Sequence, residues 1–180
     1  MGLTLSPDRA GILSRYIGEL EHWNQSMNLT GLAGAELIRR LVAEPLWVAD
    51  RLRPEGRYLD IGSGNGSPAI PWHVVCAFPN AVLVESRQRR ATFLQRLIKR
   101  LEMDDITVRR ARFEAVRFEL APVDWVTLQG VTLTAEILEN IRSASGNHTK
   151  IVWLTRATEA PGKPEACIEI PDSDRQALVF

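Results

Sequence analysis

Apolar and polar positions along the chain fall into two regimes. In the first, apolar residues recur at helical spacing. Ser6-Pro7-Asp8 carries the marks of a helix start: a capping hydroxyl, a proline in the first turn and an acid near the positive helix end. Ile12, Leu13, Tyr16, Ile17, Leu20 and Trp23 then share one face and predict a helix ending near Asn28. A second helix is predicted over residues 35–52, stopping before Pro54. From there the apolar residues gather into short runs. Residues 58–61, 81–84, 106–108, 125–128 and 151–154 read as strands, and helices are expected over 71–78, 87–101 and 134–142. Two more short strands are expected at 167–170 and 177–179, and residues 158–164, with Pro161, Gly162 and Pro164, read as a loop. Strands alternating with helices predict a Rossmann-like α/β fold with a mostly parallel, doubly wound sheet. The helices of 1–54 would form an N-terminal layer on an α/β core of 55–180, in a single domain. In such sheets the ligand lies beyond the strand C-termini, where the strand order reverses.

Composition narrows the function classes. The 180 residues suffice for one core without staples. No apolar run reaches the length of a membrane span, and the first fifteen residues lack the apolar core of a secretory signal. A cytoplasmic protein without membrane contact is expected, and a monomer. Cys76 and Cys167 have no paired spacing and are expected to be reduced and buried. The 22 basic and 22 acidic side chains cancel, which argues against a protein that grips nucleic acid over its whole surface. Residues 87–117, however, carry ten basic side chains against four acidic. That segment is either a solvated helix face or a local anion- or RNA-facing surface.

The chemistry-bearing string is Asp60-Ile61-Gly62-Ser63-Gly64-Asn65-Gly66, directly after the first strand. Glycines there allow a tight turn and close backbone approach to a ligand, and the following helix start offers free N–H groups. Glu85 ends the second strand, where a carboxylate can accept from both hydroxyls of a ribose. The dinucleotide fingerprint has its third glycine one place later than this G-x-G-x-G, so S-adenosylmethionine (SAM) is preferred over NAD. Ala111-Arg112-Phe113-Glu114, after the third strand, would run along the adenine edge. The candidate cofactor-binding residues are therefore Asp60, Gly62, Ser63, Gly64, Asn65, Gly66, Glu85, Ser86, Arg112, Phe113 and Glu114. His22, His73 and His148 are spread without ligand spacing, and no metal site is expected. Trp125 and Trp153 sit inside apolar runs and are expected in the core. Arg89 and Arg90 are expected to matter little for the cofactor and more for an RNA partner.

Several of these residues together resemble the glucose-inhibited division protein B family. They are Trp23-Asn24, Met27-Asn28-Leu29-Thr30, the glycine turn with Pro68, Ile70 and Pro71, and Val84-Glu85-Ser86 with Arg90, Phe93 and Leu94. The resemblance runs from about Tyr16 to Leu154. It implies a SAM-dependent methyltransferase acting on guanine N7 of small-subunit ribosomal RNA, with that RNA or the ribosomal subunit as partner. The family's His-x-x-Asp-Ser-Leu element aligns with Leu41, Val42, Ala43, Glu44, Pro45 and Leu46. Its Phe-Pro-Gly-Ile-Pro reads Ser67-Pro68-Ala69-Ile70-Pro71, its Ser-Arg-Ala reads Leu128-Gln129-Gly130, and its Lys-Gly reads Thr155-Arg156. The cofactor half thus resembles the family better than the substrate half does. Guanine N7 carries an in-plane lone pair and no proton, so no general base is expected and no catalytic residue is singled out. Three further readings stay open: a silent SAM-fold binding module, a methyltransferase for a less anionic substrate, and a nicotinamide-dependent enzyme.

Overall fold

The computed structural model describes residues 4–120, 122–156 and 159–180. Thr158, at the start of the expected 158–164 loop, lies outside them. Helix α1 (Pro7–Met27) is capped by the Ser6 hydroxyl, which accepts from the Arg9 N–H at 3.4 Å, and ends with Asn28 in the left-handed conformation. The Trp23 to Thr30 string acts as a helix stop: Asn24 Oδ1 accepts the Thr30 N–H, and Thr30 Oγ1 accepts the Leu32 N–H.

The predicted second helix is present but interrupted. It runs as α2 (Gly34–Ile38), a π turn (Arg39–Ala43) and α3 (Glu44–Leu52). Pro45 supplies the reason. It has no N–H to give Leu41, and its ring crowds that carbonyl. The Glu44 N–H bonds instead to Arg39 O, five residues back. The Leu41 carbonyl, which gets no N–H from Pro45, accepts the Ser67 hydroxyl at 2.9 Å.

The core alternates as expected: β1 (Tyr58–Ile61), α4 (Ala69–Cys76), β2 (Ala81–Val84), α5 (Gln88–Arg100), β3 (Ile106–Arg109), α6 (Phe113–Leu120), β4 (Trp125–Gln129), α7 (Ala135–Ser145), β5 (Lys150–Thr155), β6 (Ala166–Glu169) and β7 (Gln176–Val179). Helix α6 has no counterpart in the predicted elements, the 111–114 turn before it being the nearest expected feature. The sheet order is β3-β2-β1-β4-β5-β7-β6, with β7 antiparallel to both neighbours and the rest parallel. Strand order reverses between β1 and β4, so the switch point falls at the glycine turn.

Each strand sends alternate side chains to opposite faces. Tyr58, Leu83, Val152 and Leu154 pack under α1, α3, α4 and α5. Leu59, Ile61, Val126, Leu128, Ile151 and Trp153 pack under α6 and α7. Burial on both faces explains why these strands read as continuous apolar runs. Trp153 is buried and Trp125 half-buried, both within these clusters. Cys167 corrects the expectation of two buried thiols: it is exposed on β6, an edge strand, while Cys76 is half-buried, and both are free.

Candidate functional site

The glycine turn is built from the backbone of β1 and β2. The Gly62 and Ser63 N–H groups both donate to Val84 O, at 2.8 and 3.1 Å, and the Gly66 N–H closes the turn on Ser63 O. Gly62 has φ +76°, and a Cβ there would lie 2.3 Å from Val131 Cγ2, so only glycine lets the β4 loop come this close. Gly64, at φ +45°, faces Arg90 and Glu85.

Glu85 holds this turn from the end of β2. Its Oε2 accepts the Gly64 N–H at 3.0 Å and its Oε1 accepts the Arg87 N–H at 2.7 Å. The side chain is buried at the floor of a cavity of about 950 Å³. A volume of this order suits a nucleoside-sized ligand with room for a second group. An ionised carboxylate has about four lone-pair sites. Two are used, and two stay available to hydroxyl donors.

Of the predicted site residues, Gly62, Ser63, Gly64, Asn65, Glu85 and Ser86 line the cavity. Gly66 sits just behind the turn. A Cβ there would be 3.0 Å from Ile70 and 3.4 Å from Leu97 and Tyr16, so its smallness serves packing against the helices. Asp60 is also turned inward. Its Oδ1 accepts the Thr127 hydroxyl, which bonds in turn to the Tyr58 hydroxyl. Its Oδ2 is buried with no partner, and burial pushes its carboxyl up to about 7, with Thr127 and Ser63 opposing and the nearby Glu85 charge adding. Arg112, Phe113 and Glu114 stand outside the lining, Phe113 being packed under the sheet as the first residue of α6. The β3 end they follow does adjoin the site, for the Glu85 N–H donates to Arg109 O.

In the cavity's other half, Leu41, Gln129, Gly130, Thr155 and Arg156 are positions where the sequence departs from the family string, while Arg40, Val131 to Leu133 and Arg175 carried no sequence signal. Arg40 and Leu41 reach the cavity from the π turn, Gln129 to Leu133 from the β4 loop, and Arg156 and Arg175 from the ends of β5 and β7. Arg90, expected to matter little for the cofactor, lines it too. Gln129 is fixed by the break at Pro45. The Ser67 hydroxyl proton is committed to Leu41 O, so Ser67 Oγ accepts from Gln129 Nε2 at 3.2 Å. Among the described residues no cluster could hold a metal ion, and no helix is long and apolar enough to cross a membrane. His73 bonds Asp105 at 3.0 Å, away from the cavity, and burial lowers its pKa.

The family model for rRNA small subunit methyltransferase G (GidB) matches residues 9–166. A ribosomal RNA small subunit methyltransferase G of Klebsiella pneumoniae is 28% identical, over 91% of this chain and 80% of the relative. One of Salmonella arizonae is 30% identical, over 85% of this chain and 73% of the relative. Among solved structures, a mutant of MtNAS in complex with S-adenosylmethionine superposes with a TM-score of 0.66 at 16% identity, covering 95% of this chain and 74% of that one. Precorrin-6y C5,15-methyltransferase from Geobacter metallireducens superposes with a TM-score of 0.61 at 15% identity, covering 78% of this chain and 90% of that one. The fold is the Rossmann-like fold of class I SAM-dependent methyltransferases.

Proposed function

The chain belongs to the rRNA small subunit methyltransferase G family, and from that membership we propose that it transfers a methyl group from SAM to a base of small-subunit ribosomal RNA. The observation that carries the proposal is Glu85, held by two backbone N–H groups beneath a cavity that opens at the strand switch point. Gly62, Ser63, Gly64, Asn65, Glu85 and Ser86 would hold the cofactor, Glu85 through the ribose hydroxyls. Arg112 and Glu114, which follow the β3 end, would approach the adenine edge from beside this lining, with Phe113 anchoring their turn in the core. Asp60 and Gly66 act from behind, keeping the turn in shape.

When bound, SAM supplies a methyl carbon activated by its sulfonium sulfur. The chain's part is to align the acceptor nitrogen with that carbon and to exclude water. Positioning of this kind lowers a barrier by about 7–11 kcal/mol in ideal cases. A ring nitrogen such as guanine N7 presents a lone pair and no proton. That suits a cavity whose ionisable lining is arginine and glutamate, with no histidine, cysteine or lysine among its described residues.

RNA would arrive over the basic segment. Arg87, Arg89, Arg96 and Arg100 are exposed on or just before α5, and Arg87 and Arg90 carry that positive surface to the cavity wall. Phosphate contacts of this kind supply much of RNA affinity. The test is calorimetric titration with SAM and S-adenosylhomocysteine, followed by methyl transfer to unmodified small ribosomal subunits with the modified nucleoside read by mass spectrometry. Micromolar binding and one methylated nucleoside are expected. Absence of binding at millimolar ligand would overturn the assignment, and binding without transfer would return the chain to a SAM-fold binding module.

A further inference from the structure

The β5 side of the cavity is walled by charges from three separate stretches of chain. Arg39 and Arg40 lie in the π turn, with Glu36 and Glu44 on either side of it. Ser173, Asp174 and Arg175 form the turn between β6 and β7, and Arg156 follows β5. Glu44 is fully buried and accepts from Arg39 at 2.9 Å, Arg175 at 3.0 Å and the Ser173 hydroxyl at 2.8 Å. Arg175 also donates to Leu154 O and Arg40 O, tying the turn to β5 and to the π turn. Glu36 pairs with Arg39 and Arg40 one helical turn away. Asp174 bridges the remaining distance, with Oδ1 2.5 Å from Arg40 Nη1 and Oδ2 2.9 Å from Arg156 Nε.

The three carboxylates differ in how firmly they are held. Glu44 sits in a dry site with three donors, and losing it would strand buried guanidinium groups. Glu36 is bound to neighbours on its own helix, so its pairs form locally. Asp174 is 56% exposed, and the Arg156 side chain it meets is 62% exposed. Exposed pairs of this kind contribute little and exchange readily. The other partner of Asp174, Arg40, is only 9% exposed but also keeps Glu36, so Asp174 is the most replaceable member of the network. Arg40, Arg156 and Arg175 line the cavity, and Asp174 does not.

We propose that Arg40 and Arg156 form a binding site for a phosphate of the methyl acceptor, and that Asp174 occupies it as a built-in surrogate anion until that phosphate displaces it. Guanidinium forks donate to carboxylate and phosphate oxygens through the same planar set of N–H groups. A carboxylate clasped by two arginines therefore marks a place shaped for an oxyanion. The network holds four guanidinium groups and three carboxylates; with Asp174 swung out it holds four and two, so an entering phosphate restores the balance. The site lies at the β5 and β7 ends, across the switch point from Glu85 and the glycine turn. SAM has no phosphate, so the anion taken there would belong to the acceptor. The family match covers Arg40 and Arg156 and ends at residue 166, before Asp174 and Arg175. Only the identity of the acceptor as a nucleotide rests on the function proposed above.

The test is binding of guanosine 5′-monophosphate, guanosine and inorganic phosphate, each titrated separately with and without saturating S-adenosylhomocysteine. It uses the unaltered protein, Asp174→Asn and Arg156→Gln. The monophosphate should bind more tightly than guanosine. Asp174→Asn should raise monophosphate affinity about 2- to 10-fold, since it releases one exposed pair to Arg156 and one part-buried pair to Arg40, and leave guanosine and S-adenosylhomocysteine affinity unchanged. Arg156→Gln should abolish the preference for the monophosphate. Equal monophosphate binding by all three proteins, with unchanged melting temperature, would overturn the proposal. Inorganic phosphate binding as tightly as the monophosphate would overturn the link to the acceptor. Should Asp174→Asn fail to fold, Arg156→Gln decides alone, its side chain being exposed. Loss of S-adenosylhomocysteine binding with these responses intact would count against the cofactor pocket and not against this site.

Discussion

Replacing Glu85 by alanine separates its two roles, and both have magnitudes that follow from the structure. Without ligand, the carboxylate accepts the Gly64 and Arg87 N–H groups at 3.0 and 2.7 Å. Alanine leaves both donors unpaired, at about 1–3 kcal/mol in total, because water from the cavity can reach one of them. For a domain of this size each kcal/mol lowers the melting temperature by about 2–4 °C, so a fall of about 2–12 °C is expected. With ligand, the charge-assisted bonds to the ribose hydroxyls are lost as well, a further 1–3 kcal/mol or so. That corresponds to a SAM affinity about 5- to 150-fold weaker. Glu85→Gln keeps one accepting oxygen and should fall between the two proteins on both scales. The assays are thermal melting without ligand and calorimetric titration with SAM. Unchanged SAM affinity in Glu85→Ala, with the melting temperature lowered as expected, would refute the reasoning. Glu85 would then be only a brace for the glycine turn.

Three other perturbations follow from buried polar groups. The Asp60 carboxyl is raised to about 7, so the folded state binds more protons than the unfolded state between about pH 4 and 7. Its contribution to stability should fall as pH rises through that window and level off above it. Asp60→Asn should flatten this dependence in denaturant melts at pH 5 and pH 8; an unaltered slope would show that Asp60 does not titrate there. Ser67→Ala strands the Leu41 carbonyl and Gln129 Nε2, at about 1–3 kcal/mol. Pro45→Ala returns an N–H to Leu41 O and should reduce that cost in the double variant, measured as a non-additive cycle; strict additivity would break the link between the π turn and Gln129. Glu44→Gln leaves Arg39 and Arg175 short of a buried counter-charge and should cost about 3–5 kcal/mol in urea unfolding, with a loss under 1 kcal/mol refuting the assignment.

Sequence and structure divide this protein along the range of the forces involved. Strands, the helices on either side of them, the caps at Ser6 and Asn28, the glycine turn and the acid ending β2 were all legible in the chain. Each is set by neighbours a few residues apart, through side-chain alternation, helical periodicity or the φ freedom of glycine. The family string was legible for the same reason, being local wherever it is specific. Helix α6 escaped because Phe113 to Leu120 is short and its periodicity weak beside the turn before it. The inward turn of Asp60 and the packing role of Gly66 escaped because both residues sit in a ligand-binding pattern whose direction only the neighbouring β4 and α5 decide. Of the acceptor wall, Glu44 and Arg156 were visible as departures from the family string, but the pairing of its charges was not. Arg175 meets Glu44 across 131 residues of sequence, and Asp174 meets Arg40 across 134. No local period connects such residues. Only the sheet order, which sets β7 beside β5 and carries its turn over the π turn, brings their charges within reach of one another.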